Sequence, residues 1–140
     1  DFNSIYYPKS GIKISIEIDK RFKKYEIIGI ENRIEQILAN LLENSISFSK
    51  NNKKIIVKLS KNKNNNVTLD VIDEGIGFKE KDTKKIFNRF YSNRPDKFGE
   101  HSGLGLNIVK NLIDLHGGKI IAGNNSDKNG AKVEIIFPNA

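Results

Sequence analysis

Residues 67–77 read Val-Thr-Leu-Asp-Val-Ile-Asp-Glu-Gly-Ile-Gly. Val67, Leu69 and Val71 alternate with Thr68 and Asp70, the two-residue period of a half-buried strand. Asp73 has the parity of the three apolar residues, so it continues the row that faces the core. A carboxylate placed there needs a donor, and the amino group of a ligand would serve. Gly75 and Gly77 then permit a sharp turn and a close backbone approach to a flat ligand. The same residues also fit a β-turn that carries an acid incidentally, so the neighbouring sequence has to decide.

Upstream, Ile55, Val57 and Leu59 alternate with Ile56, Lys58 and Ser60, and the polar run 61–66 predicts a hairpin between the two strands. Ile12, Ile14, Ile16 and Ile18 alternate with Lys13, Ser15, Glu17 and Asp19, a further half-buried strand. Residues 119–123 and 131–137 flank the loop 124–130 as a second hairpin, with Val133, Ile135 and Phe137 facing inward. A short strand at about residues 25–28 would add an edge. Apolar residues at Ile34, Ile37, Leu38, Leu41, Leu42 and Ile46 mark one face of a helix over 31–48. A second helix runs from about 103 to 116 through Leu104, Ile108, Leu112, Ile113 and Leu115, and stops at Gly117-Gly118. A short third helix is expected around 83–90. Residues 78–102 are otherwise aperiodic, the mark of a functional loop or lid. The sum is one domain over 1–140, a two-layer α/β sandwich with a mixed, mostly antiparallel sheet and helices on one face.

The chain has 140 residues, a formal charge of +7 and 37% hydrophobic content, which fits a folded globular unit. No apolar run approaches the roughly 18–20 residues needed to span a bilayer. The absence of Cys excludes disulfide scaffolds, thiolate zinc sites and cysteine nucleophiles. Met is absent even at position 1, so the expectation is an excised or processed piece. The positive charge suggests nucleic acid, but Lys, Asn and Ile supply 60 of the 140 residues and Arg only 4. That bias is what AT-rich coding would produce without selection for charge, so no specific nucleic-acid partner is expected.

Two further constellations carry chemistry. Gln36, Asn40, Asn44 and Ser47 recur every three or four residues as a polar stripe on the first helix. Asn is a poor helix former, and its side-chain oxygen suits Mg²⁺ without adding negative charge beside phosphates. A merely solvated face fits the stripe equally well. His101-Ser102-Gly103-Leu104-Gly105-Leu106 opens the second long helix, whose N-terminal N–H groups suit phosphate. It is neither a Walker A loop nor a Gly-x-Gly-x-x-Gly fingerprint. His116 falls in the last turn of a helix, and both histidines read as structural or incidental.

The order and spacing of the three resemble the N, G1, F and G2 boxes of the histidine-kinase catalytic domain, from about Ile12 to Pro138. That domain belongs to a superfamily with type II topoisomerases, Hsp90-type chaperones and mismatch-repair ATPases. The N box is Asn40-Leu41-Leu42-Glu43-Asn44-Ser45, and G1 is Asp73-Glu74-Gly75-Ile76-Gly77-Phe78. G2 is Ser102-Gly103-Leu104-Gly105-Leu106, and Ile86-Phe87-Asn88-Arg89-Phe90-Tyr91 looks like the F box. The resemblance implies a Bergerat-type ATP-binding fold with an ATP lid at about 78–102. It implies that Asp73 accepts from the adenine amino group, with Gly75 and Gly77 shaping the pocket. Asn44 would coordinate Mg²⁺, with Asn40 and Ser47 on the same helix face and Asn40 contacting the phosphates. Ser102, Gly103, Leu104, Gly105 and Leu106 would wrap the phosphates, and Phe87 and Phe90 would anchor the lid or simply fill the core. Arg89 is the candidate phosphate cation, with Arg94 and Lys97 behind it.

Hydrolysing members of the superfamily usually carry Glu where Asn40 stands, which favours phosphoryl transfer over hydrolysis here. Ser47 replaces a frequent basic residue, and Glu100 and His101 replace small residues before G2. The implied activity is ATP-dependent phosphorylation of a histidine on a separate dimerisation and phosphotransfer domain, absent from this chain. A response regulator would receive the phosphoryl group indirectly. An anti-sigma-type serine kinase or an ATP-hydrolysing clamp are the alternatives. The isolated domain is expected to be monomeric and cytoplasmic, whether or not the parent is anchored in the inner membrane.

Overall fold

A computed structural model of the chain describes residues 4–7, 12–48, 54–75, 86–87, 105–124 and 130–139. In chain order these form β1 (Ser4–Tyr7), β2 (Ile12–Ile18), α1 (Glu31–Phe48), β3 (Lys54–Lys61), β4 (Val67–Asp73), α2 (Gly105–Leu115), β5 (Lys119–Asn124) and β6 (Ala131–Phe137). The strands make one sheet in the order β1-β2-β3-β4-β6-β5. β2 and β3 are parallel, and every other neighbouring pair is antiparallel. A parallel pair needs a crossover long enough to return the chain, and α1 supplies it. β4 and β5 both run against β6, so they are parallel to each other, and α2 lies in the connection between them.

Both helices cover the same face. Ile37 and Leu41 of α1 and Leu106, Val109 and Ile113 of α2 are buried in one cluster with Ile14, Ile55, Val71, Val133 and Ile135 of the sheet. The registers explain the rows: Ile16, Val57, Val71, Val133 and Ala122 sit side by side across five strands. One turn nearer the edge of the core, Ile14 pairs with Ile55 and Ile55 with Asp73. The acid therefore occupies an isoleucine position.

The two hairpins and both long helices fall where the periodicity put them, with α2 described from Gly105 onward. Three expectations change. Residues 25–28 form no strand; the edge is β1, and Tyr25 and Ile27 pack side-on against the core from an irregular stretch. Asp19 anchors that stretch, accepting from the Arg21 guanidinium at 2.7 Å and from Ser60 at 3.0 Å, while its carbonyl accepts from the Tyr25 hydroxyl. Ile18 is 51% exposed because burial fades along β2 from Ile12 and Ile14. Leu115 is 65% exposed because it lies about 200° around the helix from Ile113, off the buried 106–109–113 line. Of the expected third helix only Ile86 and Phe87 are described, as a buried 3₁₀ turn; its remainder, and residues 78–85, 88–102 and Tyr91 with them, lie outside the described residues.

The two helices are tied end to end. Ile30 caps α1 by accepting from the Arg33 and Ile34 N–H groups. His116 follows α2, with Nδ1 2.7 Å from the Leu112 carbonyl and Nε2 accepting from the Ile30 N–H at 3.1 Å. The structural reading of His116 is thus correct, while His101 lies outside the described residues. Gly117, at φ 70°, closes α2, and the Gly118 and Gly117 N–H groups donate to the Ile113 and Asp114 carbonyls. Among the described residues no helix is long and apolar enough to cross a membrane.

Truncating the fully buried Ile113 to Ala should cost about 2–5 kcal/mol in urea denaturation with an unchanged m-value. Leu115→Ala should stay within about 0.5 kcal/mol of the parent. Equal effects of the two would contradict the assignment of the buried line.

Candidate functional site

The buried line of α1 runs Ile37, Leu41, then Asn44 and Ser45, so the helix turns polar at its C-terminal end without leaving the core. Asn44 is 7% exposed and Ser45 4%. Asn40, one turn earlier on the Asn44 side, is half-buried. Asn40 and Asn44 therefore share a face, but only Asn44 is enclosed. The solvated-face alternative holds for neither of them fully. The Ser47 side chain lies outside the described residues.

Asp73 ends β4 at 2% exposure. Its Oδ1 accepts from the Gly75 N–H at 2.9 Å and from the Ala131 N–H at 3.0 Å. The buried Ser45 hydroxyl also acts on the carboxylate. Burial pushes the carboxyl above the usual carboxylate range, while the two N–H groups and the Ser45 hydroxyl pull it back; no charged neighbour enters. The contrast with Asp70 is instructive. Three residues back it has the opposite parity, lies across from Glu134 on the other face, and its Oδ1 has no partner. Burial and Glu134 raise its carboxyl too, against Lys132 at 3.9 Å.

Three of the residues that hold Asp73 escape sequence reading. Ser45 was legible only as a small polar residue four past Leu41 on the core line. Gly130, at φ 127°, precedes β6, and a Cβ there would stand 2.0 Å from the Asp73 carbonyl oxygen. Only glycine lets that backbone approach, and the approach delivers the Ala131 N–H to the carboxylate. The signal was a lone Gly before a strand, which by itself means little. Glu74 Oε1 accepts from the Lys54 N–H at 2.7 Å, joining the end of β4 to the start of β3. Lys54 is accordingly beside the G1 residues.

At the other side, Leu106 in the first turn of α2 is 8% exposed and Phe87 9%. Asn107 of α2 donates through Nδ2 to the Phe87 carbonyl at 3.1 Å, fixing that turn to the helix. Phe87 belongs to the core cluster, the plainer of its two readings. Gly75 is buried at the turn after β4 and Gly105 opens α2. The structure thus gathers Ser45, Gly75, Gly130 and Ala131 around the Asp73 carboxylate, with Asn44 buried next to Ser45 on α1. Gly77, Arg89, Phe90, Arg94, Lys97, Ser102, Gly103 and Leu104 lie outside the described residues.

This architecture has known counterparts. Residues 29–140 match the family model of histidine kinase-, DNA gyrase B- and HSP90-like ATPases, and the chain belongs to that family. Sensor protein ChvG of Agrobacterium fabrum is 37% identical over 139 residues, which cover 94% of this chain and 22% of that protein. The chain thus spans about a fifth of the length of the ChvG relatives it matches. The catalytic domain of histidine kinase ThkA, in a nucleotide-free form, superimposes with a TM-score of 0.78 at 29% identity, covering 94% of this chain and 82% of that one. ThkA in complex with response regulator protein TrrA gives 0.75 at 28%, covering 95% and 36%. Full-length ShkA in complex with AMPPNP gives 0.76 at 26%, covering 95% and 27%. The fold is the Bergerat-type ATP-binding sandwich of histidine-kinase catalytic domains.

An acid whose folded pKa lies above its unfolded value stabilises the fold fully below the unfolded value, and that contribution fades as pH rises through the folded one. Asp73 is such an acid. Asp73→Asn should therefore gain stability relative to the parent as pH is raised from about 4 to about 7.5, read from paired urea midpoints. A gap independent of pH would refute the shift.

Proposed function

We propose that this chain is the ATP-binding catalytic domain of a two-component sensor histidine kinase. The observation that carries it is the buried Asp73 carboxylate, seated in an apolar row beside the polar end of α1. An enclosed acceptor surrounded by apolar side chains suits the exocyclic amino group of adenine, and the family supplies the nucleotide class. Gly75 and Gly77 shape the turn beside the base. Asn40 contacts phosphate, with Ser47 two turns further along α1. Ser102, Gly103, Leu104, Gly105 and Leu106 wrap the phosphates at the start of α2, where unpaired N–H groups and the helix dipole favour anions. Phe87 and Phe90 seat the lid over residues 78–102, and Arg89 offers a cation to the phosphates.

Mg²⁺ fits the donor set. Among the described residues no cluster of three His, Cys, Asp or Glu exists to hold a metal by protein alone. The enclosed, neutral Asn44 amide matches an ion held by one side chain together with the phosphates and water. Bound there, Mg²⁺ neutralises and orients the phosphates. Asn40 lacks the basicity to activate water, so the bound ATP is kept for transfer.

The transfer is to a histidine on a dimerisation and phosphotransfer domain of the same kinase. A neutral imidazole nitrogen forms the P–N bond as the bond from the γ-phosphorus to the β–γ bridging oxygen breaks and ADP leaves. The phosphoryl group then passes to a response regulator. ThkA, a structural neighbour, is solved in complex with a response regulator protein, which supports a two-component partner. The domain works as a single unit over 1–140, monomeric when isolated and on the cytoplasmic side, where ATP is available.

Calorimetry should find Mg²⁺-dependent ATP and ADP binding, abolished in Asp73→Asn and stripped of its Mg²⁺ dependence in Asn44→Ala. Labelled ATP with a histidine-phosphotransfer domain should give an acid-labile product, with little free phosphate released by the domain alone. No adenine-nucleotide binding at millimolar concentration would end this reading; steady phosphate release would move it to the hydrolysing branch.

A further inference from the structure

The β3–β4 ladder ends on the pair Ile55–Asp73. β3 itself begins one residue earlier, at Lys54, which pairs with Lys13 of β2 on its other side. A regular antiparallel ladder would set the backbone of residue 74 opposite Lys54. Instead residue 74 leaves the strand and its side chain does the pairing: Glu74 Oε1 accepts from the Lys54 N–H at 2.7 Å. A carboxylate thus makes the last rung where a carbonyl would stand, and the main chain of residue 74 is released to turn.

That turn serves Asp73. Its Oδ1 accepts from the Gly75 N–H at 2.9 Å and from the Ala131 N–H at 3.0 Å. The first bond requires the peptide between Glu74 and Gly75 to face back toward Asp73, as in the turns that Asp side chains form with the N–H two residues on. Glu74 carries that peptide and is held from both neighbouring strands. On the β3 side the Lys54 N–H holds its carboxylate. On the β6 side Gly130 lies so near that a Cβ there would stand 3.1 Å from the Glu74 Cα.

We propose that Glu74 is a positioning residue for base recognition: bonded to the Lys54 N–H, it holds the 73–75 turn so that the Gly75 N–H keeps Asp73 aimed at the adenine amino group. The proposal rests on the ATP reading above and deepens it. Glu74 acts through Asp73, so its effect falls on the base end of the nucleotide and spares the phosphate end. The bond needs an acceptor oxygen at the reach of a glutamate side chain, and not its charge. Gln supplies that oxygen, Asp is one methylene short, and Ala has none.

The parent, Glu74→Gln, Glu74→Asp and Glu74→Ala are therefore compared in two ways. Without nucleotide, amide hydrogen exchange is read residue by residue and corrected for the changed neighbour. Relative to the core-strand amides, Lys54 and Gly75 should exchange faster in the Ala and Asp variants and at the parental rate in Gln. With Mg²⁺, calorimetry should find ADP binding about fivefold weaker in Ala and Asp, the worth of one ordinary hydrogen bond. Inosine diphosphate, which presents a carbonyl where adenine has its amino group, should bind nearly as it does to the parent. The preference for ADP then shrinks by the same factor, and Gln restores it. Thermal melting shows which variants are folded, and Asp replaces Ala in the comparison if Ala is not. Parental Gly75 exchange or parental ADP preference in a folded Ala or Asp variant overturns the proposal. So does an equal loss for ADP and inosine diphosphate, which marks general loosening, or a Gln variant that behaves like Ala. A parent that binds no adenine nucleotide overturns the ATP reading instead, and the exchange comparison still decides whether Glu74 holds the turn.

Discussion

An ionised carboxylate in a row of isoleucines costs on the order of several kcal/mol unless donors surround it, and the architecture around Asp73 answers that constraint. Two N–H donors come from the turn after β4 and the start of β6, and the Ser45 hydroxyl acts from the inner face of α1, three places far apart in sequence. Each requires something specific of the chain. The turn presents the Gly75 N–H, the close approach needs Gly130, and the apolar line of α1 gives way to Ser45 and Asn44. Here the apolar core stops one position short, and buried Asp73, Asn44 and Ser45 take the place of apolar side chains.

α1 has two jobs that divide along its length. Its N-terminal half packs Ile34 and Ile37 onto the sheet, and its C-terminal half carries Asn40, Asn44 and Ser45. The first half holds the second in place. His116 contributes by bonding both the end of α2 and the first residue before α1, so the two helices form one rigid layer over the sheet. Asn107 extends α2 to the 86–87 turn in the same manner. Side chains that look incidental in sequence therefore fix the spacing between the helix layer and the acid.

The Asn40–Asn44 face and the inward parity of Asp73 were legible because each is local: a period of two or 3.6 residues states which way a side chain faces. Both hairpins were legible for the same reason. What failed was non-local. The stretch around Tyr25 has strand-like residues, yet the edge position beside β2 is filled by Ser4–Tyr7, and propensity yields to a competing pair. Leu115 looked like core because it is leucine, although its angle around α2 points it to water. Nothing local marks Lys54 either: the β3–β4 register brings it to Glu74 across 20 residues of sequence.

The sequence by itself determined the class of fold, the family and the inward acid, since periodicity, turn residues and motif order are written along the chain. Tertiary structure alone decided which groups meet that acid. Ser45, Gly130 and Ala131 lie 28, 57 and 58 positions from Asp73, and no local pattern connects them to it. Parity tells which face a side chain takes; only packing and strand register bring the donors on different elements to one carboxylate.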